Sequence, residues 1–143
     1  MLTAIPLTII PLIIYNVIAF IFPGATPDAT WTGTIFHLPL MSGERWGLTL
    51  GDLMITLAIT MLFLEIMKSG RTGTATVTNH ILSTILLLIY VIEFVLVGKA
   101  ATSLFFILTV IALFDVIAGF SITIRTATRD IAYNPGYEPP HQH

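Results

Sequence analysis

Four stretches of almost unbroken apolar residues divide this chain, at 2–22, 48–67, 79–97 and 102–124, with shorter polar intervals between them. Each is about 20 residues long, the length an α-helix needs to cross the roughly 30 Å hydrocarbon core of a bilayer. The pattern predicts an all-α integral membrane protein, built as an up-down bundle of four transmembrane helices. The helical domain covers residues 1–132, and a polar, Pro-rich tail follows at 133–143.

Pro11 falls inside the first stretch and predicts a kink, because a mid-helix proline removes one backbone bond and crowds the preceding turn. Asn16 is placed to re-satisfy the freed carbonyl, and Tyr15 and Asn16 together form polar handles for a lipid or quinone beside the kink. No Lys or Arg precedes this apolar run, which favours a retained helix over a secretory signal. The interval 23–46 is the longest polar one. Within it Trp31, Ile35 and Leu38 follow helical i, i+4, i+7 spacing. Trp prefers the headgroup level, so a short segment lying on or dipping into the interface is expected. Trp31 and Trp46 are its lipid contacts. The interval 68–78 turns the chain around, and Thr78 or Asn79 is the expected N-cap of the third helix.

Ionisable groups within the spans are few. Asp52 and Glu65 lie in the second, His80 and Glu93 in the third, and Asp115 in the fourth. If the second and third spans pair as an antiparallel hairpin, Glu65 sits level with His80 and Asp52 level with Glu93, because both pairs have the same number sum. Asp52 and Glu93 then share a proton, bind a cation, or pair with Arg45 and Lys99. Tyr90, one turn before Glu93, is in reach of either acid. The thirteen residues between Asp52 and Glu65 turn the helix by about 220° in excess of whole turns, so both pairs cannot face one seam. Asp115 is flanked one turn either side by Ala112 and Gly119. That face reads as a packing surface whose Asp bonds a Ser, Thr, Tyr or backbone group, or as a proton or cation relay. The candidate polar or ion site is therefore Asp52, Glu65, His80, Tyr90, Glu93 and Asp115.

Composition sharpens this picture. Of 143 residues 10% are charged, against roughly 25% in an ordinary soluble domain. Six basic residues are scattered singly and the net charge is −2, so no nucleic-acid footprint is present. Without cysteine there is no disulfide framework and no sulfur-based metal site. No catalytic constellation emerges and no cofactor is implied, so no enzyme is expected. Lys68, Arg71, Arg125 and Arg129 fall on one side and Arg45 and Lys99 on the other. This favours both termini in the cytoplasm, in a bacterial cytoplasmic membrane. In the tail, Asn134-Pro135-Gly136-Tyr137 is similar to the Asn-Pro-x-Tyr motif read by phosphotyrosine-binding-type adaptors, and is also good turn chemistry. Helix number is similar to that of small multidrug exporters, but those centre on a Glu in the first helix and 2–22 contains no acid.

The function expected is that of a non-enzymatic membrane subunit, assembling with itself or with a larger membrane complex, with membrane lipid as its other partner. The alternative is an oligomeric proton or cation channel or transporter using intramembrane carboxylates. A third reading is a lipid- or quinone-binding membrane protein.

Overall fold

The computed structural model describes residues 5–69 and 74–132. The tail at 133–143, with its Asn-Pro-Gly-Tyr motif, His141 and His143, lies outside the described residues. In chain order come helix α1 (Ile9–Ile21), the one-turn helix α2 (Ala29–Thr32), strands β1 (Thr34–Pro39) and β2 (Arg45–Thr49), and helices α3 (Leu50–Ser69), α4 (Thr74–Leu96) and α5 (Ser103–Ala132). The chain is mostly helical. Helices α3, α4 and α5 are long and apolar enough to cross a membrane, and α1 is a shorter apolar helix, as in a helical integral membrane protein.

Helix α1 is shorter than the apolar stretch that contains it. Ile9 and Ile10 donate their N–H groups to the carbonyls of Pro6 and Leu7 at 3.2 and 3.0 Å, and the α-helix proper begins there. Pro11 therefore falls in the first turn, where a missing N–H removes no intrahelical bond. The kink expected at Pro11 has no broken bond to produce it. Asn16, expected to rescue a freed carbonyl, donates instead to Leu12 O one turn back at 3.1 Å. The 13 residues of α1 extend only about 20 Å.

The interval after α1 also differs from its helical spacing. Gly33 closes α2 after one turn, and the β-branched and aromatic run that follows takes up an extended hairpin. Phe36 pairs with Leu48 and Leu38 with Trp46, and Gly43 makes the turn with φ at +88°. Ile35 and Leu38 are thus exposed strand residues. Trp31 turns inward and is only 3% exposed.

Packing centres on α5, which lies against both α3 and α4. The pairs Phe94–Phe105 and His80–Gly119 share one number sum, so α4 and α5 run antiparallel. The sequence neighbours α3 and α4, expected to pair as a hairpin, are not a closely packed pair among the described residues. The interior has two zones. Toward the Lys99 end, Tyr15 stacks on Trp31 at 4.5 Å and meets the edge of Phe105 at 4.7 Å, with Tyr90 and Phe94 on other sides of Phe105. Toward the Lys68 end, Thr8, Glu65, Asn79, His80, Ser83 and Asp115 are buried together with little apolar company.

Gly119 shows how tight α4 and α5 are. A Cβ at this position would lie 2.5 Å from the His80 ring, which is hydrogen-bonded through Nε2 to Thr123 Oγ1 at 2.6 Å. Gly119→Ala is expected to cost about 1–3 kcal/mol through overpacking. Thermal unfolding in detergent checks this, with Gly98→Ala, whose Cβ would meet nothing within 4 Å, as the neutral control.

Candidate functional site

The first residues of α1 present backbone groups that their own helix cannot satisfy, and the buried acids converge on them. Glu65, 0% exposed, accepts the Leu7 N–H through Oε2 at 2.8 Å. The amide of Asn79 donates to its other oxygen. Lys68, one turn along α3, lies 3.1 Å from Oε2 and donates to Ile5 O at 2.8 Å. Asp115, 4% exposed, accepts the Thr8 hydroxyl at 2.9 Å, with Ser83 beside it. The Thr8 carbonyl accepts the hydroxyl of Tyr90 at 2.9 Å. One helix end is thus tied by side chains to α3, α4 and α5.

This placement is electrostatically favourable. The N-terminus of a helix carries a partial positive charge that attracts carboxylates, by about 0.3–2 kcal/mol depending on burial. A hydrogen bond to a charged group contributes about 1.5–3 kcal/mol, and here each acid also faces donors from other helices. Asn79 reaches Glu65 because α4 starts at Thr74 and not at Thr78 or Asn79. The chain is already helical from Thr74, and Asn79 points inward from the second turn of α4.

The other candidates separate from this cluster. Asp52 is not level-paired with Glu93. Its Oδ2 accepts the Thr49 N–H at 2.9 Å and the Thr49 hydroxyl at 2.7 Å, while its own N–H donates to Thr49 Oγ1 at 3.0 Å. That is a reciprocal cap at the start of α3. Thr56 and Thr60, one and two turns further along α3, point outward and bond back to carbonyls one turn earlier. His80 does not face Glu65 as its level partner; Asn79 takes that place and His80 turns to Thr123 and Phe120 on α5.

Glu93 is the acid left over. Its Oε1 is buried and accepts no hydrogen bond, while the carboxyl group has Asn16, which also donates to Leu12 O, as a hydrogen-bonding neighbour. Tyr15 and Trp31, expected as lipid contacts, are interior. Tyr15, 1% exposed, has its hydroxyl bonded to Lys99 O and Thr102 Oγ1, both at 2.8 Å. Trp46 remains exposed on β2, and Asn16 is half-buried.

The chain matches no protein-family model, no curated protein and no solved structure. Its chemistry is therefore read from this geometry alone. Among the described residues no three of His, Asp and Glu converge to hold a metal ion. Thr8, Asn79, Ser83, Lys68 and Thr102 were missed by the sequence reading. Pro6 followed by Leu7-Thr8 was the available signal, since a proline near a helix start leaves the next N–H groups facing outward from the helix end.

Two substitutions test the anchoring role. Glu65→Leu strands the Leu7 N–H, Asn79 and Lys68 together and is expected to cost about 3–5 kcal/mol. Thr8→Val is expected to cost about 1–3 kcal/mol, and far less when Asp115 is also replaced by Leu, because the two act as one unit. Unfolding of the single and double variants in one detergent measures the coupling, and additive losses would show the Thr8–Asp115 bond to be idle.

Proposed function

We propose that this protein is a non-enzymatic, four-span membrane subunit in up-down arrangement that assembles with itself or with a larger membrane complex. The observation that carries this reading is Glu93. Asp52, Glu65 and Asp115 are each committed to bonds that tie parts of this chain together, whereas Glu93 is half-buried, with one oxygen left without a hydrogen bond. In a low-dielectric setting an under-bonded carboxyl group is costly, and its exposed part is open to a donor from an adjoining helix. Broad apolar faces surround it, including Ile85, Leu88, Ile89 and Ile92 on α4. The small face of α5 is used within the chain, where Ala112 and Gly119 pack, and is not left open to another subunit. In the sequence Lys68, Arg71, Arg125 and Arg129 on one side, against Arg45 and Lys99 on the other, support both termini in the cytoplasm and residence in a bacterial cytoplasmic membrane.

The second reading, an oligomeric proton or cation pathway, rests on the same residue, because Glu93 has Asn16 and Tyr90 as polar neighbours at membrane depth. Asp52 no longer supports it as a partner of Glu93. The two readings separate in one comparison. Glu93→Ala is expected to weaken assembly about tenfold, read by native mass analysis of gently extracted protein, while its melting temperature and the ion flux of reconstituted vesicles stay unchanged. Loss of flux with assembly intact would favour the pathway.

A further inference from the structure

Another charged group lacks an ion-pair partner among the described residues, beside Phe20 near the C-terminal end of α1. Lys99, in the 3-10 turn Gly98–Ala100, has no carboxylate within ion-pair distance among the described residues. Its ammonium lies 4.5 Å from the centre of the Phe20 ring. Its backbone is held in place, because Tyr15 donates to its carbonyl at 2.8 Å. Beside it is a cavity of about 190 Å³, walled by Lys99, Ala19 and the loop Pro23, Gly24 and Pro27, and closed by Thr30.

The cup is built, not incidental. Thr30 Oγ1 accepts the Gly24 N–H at 2.9 Å and donates to Phe22 O at 3.2 Å, folding the loop back over the end of α1. The approach is so close that a Cβ on Gly24 would lie 2.8 Å from Thr30 Oγ1 and 3.0 Å from Thr30 N. Asp28, the acid next along the chain, does not line the cavity. The result is a small hollow with one cationic wall and several apolar ones.

We propose that this cup binds the phosphate of a membrane lipid, with Lys99 as the charge partner and the acyl chains lying along Phe20 and its neighbours. A cation without an ion-pair partner at the end of spanning helices meets the headgroup layer, where basic side chains attract anionic lipid. Phe20, Ile21 and Phe22 are all exposed at the end of α1, and Phe20 lies under the Lys99 ammonium that lines the cup. An acidic head joined to an apolar body fits both walls at once, whereas a free phosphate fits only the ammonium. This site does not depend on the assembly reading, and it replaces the pocket expected at Tyr15 and Asn16.

The test titrates delipidated full-length protein in detergent with phosphatidylglycerol, with diacylglycerol, which lacks the phosphate, and with inorganic phosphate, each read by native mass analysis. Wild type is expected to hold phosphatidylglycerol and not diacylglycerol. Lys99→Gln is expected to lower occupancy at least about fivefold at equal lipid ratio, with Lys99→Arg retaining it. Gly24→Ala, which keeps the charge and opens the cup, is expected to lower it as well. Equal phosphatidylglycerol occupancy in wild type and Lys99→Gln would overturn the proposal, as would full occupancy in Gly24→Ala. Displacement of the lipid by millimolar inorganic phosphate would overturn it too, by making a soluble phosphate the ligand.

Discussion

A helix that begins inside an apolar bundle exposes N–H groups that its own turns cannot bond, and burying them unpaired is costly. That constraint organises this protein. Pro6 keeps α1 from starting earlier, so Leu7 and Thr8 meet the interior with their polar groups open. Glu65 from α3 and Asp115 from α5 supply the acceptors, and their charges suit the positive end of the helix. Each acid would be expensive in such surroundings alone. Placed at one helix end, each removes part of the cost of the other partner.

The central position of α5 follows from this arrangement. Thr8 does not cap its own helix; its hydroxyl crosses to Asp115, midway along α5, and its carbonyl takes the Tyr90 hydroxyl from α4. Midway along, α1 is tied by Tyr15 to the turn that joins α4 to α5. The short helix is held at its start and its middle by polar bonds and along its length by Leu12, Tyr15 and Ala19. Aromatic packing occupies the Lys99 end, where Phe105 meets Tyr15, Tyr90 and Phe94, and polar packing occupies the Lys68 end. Gly119 lets His80 come close enough to α5 to join that polar half.

Apolar run length was enough to find the three long helices, because about 20 consecutive apolar residues have few other uses. It was not enough to find which helices touch. Lipid-facing and protein-facing Leu and Ile look alike in sequence, so equal number sums in a supposed α3–α4 hairpin had nothing to oppose them. The hairpin β1–β2 was hidden by an accidental helical spacing of Trp31, Ile35 and Leu38, which Gly33 interrupts. Asp115 with its small neighbours was legible as a packing face whose acid bonds a Ser, Thr, Tyr or backbone group, with a relay as the alternative. Its actual partner, Thr8, lies 107 residues away and belongs to no local pattern. Asp52 was misread for the opposite reason: its bonds are with Thr49, three residues back, and the capping pattern was in plain view.

An acid within a membrane helix is a functional candidate by default, and the useful discriminator is whether its hydrogen bonds are already taken. Asp52, Glu65 and Asp115 meet that description as structural groups, since removing any of them would strand a backbone or hydroxyl donor of the same chain. Glu93 does not, because one of its oxygens accepts no hydrogen bond and its neighbour Asn16 keeps a bond to Leu12 O without it. The same distinction separates two lysines at opposite ends of the bundle. Lys68 is paired with Glu65 and bonded to Ile5, so its charge is neutralised where it stands. Lys99 has only an aromatic face and an apolar-walled cup beside it. Groups that the fold has already satisfied explain how the protein holds together. Groups that it has positioned but not satisfied are where interactions with lipid and with other chains are to be sought.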